Sequence, residues 1–200
     1  MKPPTGLSAI VFFAWLSVGL VWSQAPGGNA ARGAQLFKEL RCSACHSVRG
    51  QGGSSAPELG ARPGQPYTPA MLAGAIWSHV TKMWEAMERA GIARPQLSEQ
   101  QVADIFAYLG GSSSGADKPG DATRGREIFE AKLCASCHDD PYQAPALHSK
   151  TGRTGAFSLI SGLWNHGGGM LSRMVSRNLA WQTLSPEEVN NILAYLNAGK

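Results

Sequence analysis

Two short motifs constrain this chain of 200 residues more than anything else in it: Cys42-Ser43-Ala44-Cys45-His46 and Cys134-Ala135-Ser136-Cys137-His138. Between them they use all four cysteines. Each has the C-x-x-C-H form of a covalent haem attachment site. On a helical turn, cysteines three apart present both sulfurs to one side, where they can add to the vinyl groups of a porphyrin. The histidine that follows then lies under the iron as its proximal ligand. Two disulfides would be ordinary in an exported chain, and one zinc ion could gather all four cysteines. Neither reading gives a role to the histidine fused to each pair. The motifs therefore predict two covalently bound haem c groups with their iron. Cys42, Cys45, Cys134 and Cys137 are the attachment residues, and His46 and His138 the proximal ligands.

The chain repeats beyond the motifs. Gly33 and Gly125 each stand nine residues before the first cysteine, and Phe37 and Phe129 five before it. Ala56-Pro57-Glu58-Leu59 answers Ala144-Pro145-Ala146-Leu147, and Trp77-Ser78-His79 answers Trp164-Asn165-His166. Met83 and Met87 pair with Met170 and Met174, and Ala107-Tyr108-Leu109 with Ala194-Tyr195-Leu196. The offset drops from 92 to 87, mostly where the first half carries a longer Gly/Ser-rich loop after its motif. Gly110 to Ala122, rich in Gly and Ser, reads as a linker. The predicted organisation is a signal peptide at 1–25, a first domain at 26–110, a linker at 111–122 and a second domain at 123–200. Each domain of about 80 residues is marginal on polypeptide core alone, and a buried porphyrin would complete it.

The signal rests on Lys2, a charge-free apolar stretch from Leu7 to Trp22, and small residues at Ser23 and Ala25. That stretch rises about 24 Å as a helix, short of the about 30 Å hydrocarbon core. Export to the periplasm with cleavage after Ala25 is expected, and membrane contact only through an uncleaved signal or a membrane complex. The net charge of +4 is scattered without a basic run, so nucleic acid is not an expected partner.

The pattern is all-α. Helices are predicted over Ala31 to Leu40, Pro69 to Ala90 with Pro in the first turn, and Glu99 to Leu109 with Ser98 and Gln101 as a capping box. Ser185-Pro186-Glu187-Glu188 opens the equivalent final helix. No alternating strand pattern competes. Glu85, Glu88 and Asp104 read as solvated helix faces, His148 as a surface residue, and Trp77 and Trp164 as packing residues.

With its two motifs, upstream Gly and aromatic, downstream methionines and terminal Ala-Tyr-Leu helix, the chain resembles a tandem of class I cytochrome c domains, the two-domain dihaem family. The resemblance implies terminal helices crossing beside each haem, with Phe37 on Tyr108 and Phe129 on Tyr195. It also implies a distal methionine. Here each half offers His79, Met83, Met87 or His166, Met170, Met174, four residues apart and near one helix face. Met87 precedes Gly91-Ile92 and stands nearer family spacing from Tyr108. Thr81-Lys82-Met83 resembles the family's ligand tripeptide, and Gly167-Gly168-Gly169 before Met170 lets backbone approach a ring closely. Met87 and Met174 are preferred as distal ligands, with Met83 and Met170 as alternatives and the two histidines behind them.

The function expected is one-electron transfer between redox partner proteins in the exported space. A haem c subunit of a larger oxidoreductase or respiratory complex is the alternative. A dihaem peroxidase needs an open distal position and acid–base groups, which neither half supplies. An enzyme is not expected, and there are no expected catalytic residues.

Overall fold

The computed structural model describes residues 27–62, 65–111, 117–148 and 154–198. The predicted signal peptide falls outside the described residues. Among them, no helix is long and apolar enough to cross a membrane.

The element order is helix α1 (Ala30–Glu39), a 3-10 turn over Cys42–Ala44, strands β1 (Ser47–Val48) and β2 (Gln51–Gly52), and helices α2 (Pro69–Arg89) and α3 (Glu99–Tyr108). The second half follows with α4 (Ala122–Ala131), α5 (Ala135–His138), α6 (Ala156–Ser176) and α7 (Pro186–Asn197). The helices lie where apolar periodicity and caps place them. Ser98 and Ser185 both make reciprocal capping boxes, with Gln101 and Glu188. The hairpin is the exception. Ser47 pairs with Gly52 and Val48 with Gln51, around a turn in which Arg49 and Gly50 both have positive φ. It occupies the longer loop of the first half, and two-residue strands are too short to leave an alternating pattern.

Each half is built on the crossing of its first and last helices, α1 on α3 and α4 on α7. Glycine permits the approach: a Cβ on Gly33 would collide with the Asp104 carbonyl, and one on Gly125 with that of Asn191. Phe37 meets Tyr108, and Phe129 meets Tyr195, each pair with ring centroids 5.5 Å apart. Asp104 belongs to the crossing rather than to a solvated face. Its side chain is fully buried and accepts from the Asn29 N–H at 2.8 Å, Gln100 at 3.0 Å and Arg32 Nε at 2.6 Å. At the second crossing Asn191 accepts from the Asp121 N–H at 2.8 Å.

The middle helices exchange partners. α2 packs on α6 and on the other half's terminal helix α7, while α6 packs on α3. Matching residues make matching bonds. The Trp77 indole N–H donates to the Gln182 carbonyl at 2.9 Å, and that of Trp164 to the Pro95 carbonyl at 2.8 Å. Ser78 bonds both polar backbone atoms of Leu184, and Asn165 both of Leu97. One apolar core consequently runs through both halves, joining Phe37, Val102 and Phe106 to Phe157, Ile160, Val189 and Leu196. Phe106 and Phe157 touch across the boundary at 5.3 Å.

Candidate functional site

Both motifs are presented by the same local device. The residue before the first cysteine, Arg41 or Leu133, takes a left-handed conformation with φ 64°. This ends the preceding helix and swings the chain back. In the second half the Leu133 N–H returns to Glu130 and the Cys134 N–H to Phe129, both at 3.0 Å, a Schellman cap. One helical turn follows in each half. The His46 N–H bonds the Cys42 carbonyl, and the His138 N–H that of Cys134, both at 3.0 Å. All four cysteines are free and half-buried. Burial pushes the Cys42 and Cys134 thiols up to about 11, well above an ordinary cysteine. They are protonated neutral thiols rather than reactive thiolates. Among the described residues no three His, Cys, Asp or Glu side chains converge as a metal site.

The histidines carry the sharpest geometry. His46 Nδ1 lies 2.7 Å from the Pro57 carbonyl oxygen, and His138 Nδ1 2.9 Å from that of Pro145. A carbonyl can only accept, so Nδ1 carries the proton and Nε2 keeps its lone pair. That is the tautomer in which an imidazole ligates a metal. The loops close over 11 residues in the first half and 7 in the second, yet end on the same bond. The Ala-Pro-x-Leu repeat was the sequence trace of this feature, but it did not reveal that the proline's carbonyl is the working part.

The distal candidates separate. Four residues advance a helix by a full turn plus about 40°, so His, Met and Met do not share one surroundings. His79 is exposed, with Nδ1 bonded to the Ala75 carbonyl at 2.8 Å, and His166 is exposed too. Met83 and Met170 pack into the seam between α2 and α6, around Val80, Trp84 and Leu163. Met87 and Met174 are half-buried and belong to neither apolar cluster. Each lies at the end of its helix, where its carbonyl receives the N–H of Ile92 or Leu179 at 2.8 and 2.9 Å. These are Schellman caps, so the Gly91-Ile92 signature after Met87 is also a helix stop. The glycine run before Met170 answers to a different ring from the one expected. A Cβ on Gly167 would lie 2.6 Å from Cη2 of Trp84, and one on Gly168 2.9 Å from an Arg94 nitrogen.

Arg177, one turn beyond Met174, donates to Cys137 Sγ at 3.3 Å and to Gln143 at 2.5 Å. The end of α6 therefore lies over the second motif. No sequence signal marked this contact. His148, expected at the surface, has both ring nitrogens buried without partners and stands edge-on to Tyr195 at 4.8 Å.

Comparison with known proteins agrees with this geometry. Residues 30–113 match the family described as cytochrome c, and residues 120–196 the family described as cytochrome C oxidase, cbb3-type, subunit III. The chain is two cytochrome c-like domains in tandem. Searches of curated proteins and of solved structures found no match. Domains of these two kinds serve electron transfer and are not themselves catalytic centres.

Proposed function

We propose that this chain is an exported dihaem c subunit that passes single electrons within a larger oxidoreductase or respiratory complex. The cbb3-type subunit III match of the second half favours this alternative over a free-standing carrier. The observation that carries the haem reading is the pair of imidazoles, each fixed by a proline carbonyl with Nε2 left to ligate.

The residues fit the group. Cys42 and Cys45, and Cys134 and Cys137, would hold one haem each as thioethers. His46 and His138 would be its proximal ligands, and Met87 and Met174 its distal ones. The half-buried methionines outside the apolar clusters support that choice, as does Arg177 reaching from the Met174 end of α6 to Cys137. Bound there, haem supplies an iron that takes up and releases one electron. The chain orients the ligands through the Pro57 and Pro145 carbonyls and keeps water from the ring with its shared apolar core. A carboxylate facing such an imidazole would push more charge toward the iron than a neutral carbonyl does.

The test is purification from membranes in mild detergent, with haem staining of native gels. The chain should migrate within a larger assembly and carry two covalent haems. A haem-loaded chain recovered wholly free of other subunits would favour the shuttle instead.

A further inference from the structure

The most unusual polar atom of the seam is Nε1 of Trp84. The residue is 6 % exposed, and its indole N–H is buried without any acceptor. A donor removed from water and left unpaired costs free energy, so such an atom calls for an explanation. The Arg94 guanidinium lies over the same ring, 5.1 Å from its centroid. Arg94 makes no ion pair or hydrogen bond among the described residues. Space for both is kept by the absence of side chains at Gly167 and Gly168. An unpaired N–H donor beside an unpaired cation is the chemistry of a carboxylate site.

We propose that Trp84 and Arg94 form a carboxylate-binding pair that takes a propionate of the first haem. The proposal rests on the haem reading above. Met87 stands three residues after Trp84 on α2, so the two share a helix face. A cofactor whose iron Met87 reaches therefore brings its carboxylates within range of the same face. The pair is not duplicated: the matching positions in the second half are Leu171 and Trp181. Only the first haem gains this donor and this charge.

Both groups favour the ionised carboxylate. They offset its negative charge at the iron and so favour the ferrous state. The first haem takes up one electron, ferric to ferrous, with no accompanying proton because the propionate stays ionised. The two haems are therefore poised differently by a feature that the duplication does not share.

The test compares the holoprotein with W84F, which keeps an aromatic ring but removes the donor, and R94Q, a change at an exposed side chain. Covalent haem is counted first, then both midpoint potentials are followed spectroelectrochemically against pH. In each variant one midpoint should fall and begin to track pH, while the other stays at its wild-type value. The Trp84 indole proton, identified in NMR spectra by its loss in W84F, should exchange slowly in the holoprotein. Two haems with both midpoints unmoved in both variants would overturn the pair alone, as would equal shifts of both midpoints. A wild-type potential that moves on adding acetate would also overturn it, because the pair would then serve a free carboxylate. A wild-type chain that attaches no haem would overturn the underlying reading as well.

Discussion

At the scale of single residues, a side chain can ligate only if packing leaves it free. Met83 and Met170 are committed to the seam with Val80, Trp84 and Leu163. Met87 and Met174 make no such contribution. A ferric haem with methionine opposite histidine shows a weak red charge-transfer band, so ligation has a direct readout. M87L and M174L should each lose about half of that band and open one haem to carbon monoxide. M83L and M170L, near volume-conserving swaps, should keep the full band and cost less than about 1.5 kcal/mol. The reverse pattern would move the ligands to the alternatives. Attachment and proximal residues were legible because C-x-x-C-H is a local motif whose geometry comes with the sequence. The rest was not, because it depends on partners far along the chain. Asp104 looked like any polar position on an amphipathic helix, yet it meets Asn29 and Arg32 across the crossing. His148 reads as a loop residue until Tyr195 is brought against it.

At the scale of helices, the two crossings solve one problem with exchanged chemistry. In the first, the N-cap is Asn29 and the buried acceptor Asp104; in the second, the N-cap is Asp121 and the acceptor Asn191. Desolvation is the strongest influence on Asp104 and works to raise its pKa. Hydrogen bonds from Asn29, Gln100 and Arg32 together overcome it and hold the carboxyl below the usual range. Its folded pKa thus lies under the unfolded value of about 3.9. The ionised group stabilises the fold fully above that value, and the contribution is lost as pH falls through the folded pKa. D104N keeps an acceptor for the Asn29 N–H, as Asn191 does for Asp121, but loses the charge opposite Arg32. It should cost about 1–3 kcal/mol at neutral pH. Urea unfolding between about pH 7 and pH 2 should show the difference from wild type shrinking toward acid. A constant gap would mean that Asp104 is neutral in the fold. Helix positions were legible at this scale because caps and periodicity are local. The hairpin over Ser47 to Gly52 was not, since its pairing is set by the turn at Arg49-Gly50 rather than by alternation.

At the scale of the whole molecule, duplication makes partner choice ambiguous. The docking surface for α2 exists twice, once before α3 and once before α7, with similar residues. Sequence alone favours neither, and the expected arrangement of two self-contained domains was the simpler one. The structure takes the exchanged pairing, with Trp77 bonded to Gln182 and Trp164 to Pro95. An exchanged pairing has a thermodynamic consequence. Each half's last helix is covered by a helix of the other half, so neither crossing keeps its cover if the other half unfolds. Both halves should therefore melt in one transition rather than two. W77F removes a single indole N–H and leaves the Gln182 carbonyl without its donor, at a cost of about 1–2 kcal/mol. If the halves are one cooperative unit, that loss lowers the unfolding midpoint of both haem environments equally, although the substitution lies in one half. W164F should do the same from the opposite side. The measurement is thermal or urea unfolding followed by helical circular dichroism and by haem absorbance, in wild type and both variants. Coincident curves shifted together support the exchange. Two separated steps, with only one displaced by each variant, would mean that each half covers its own crossing.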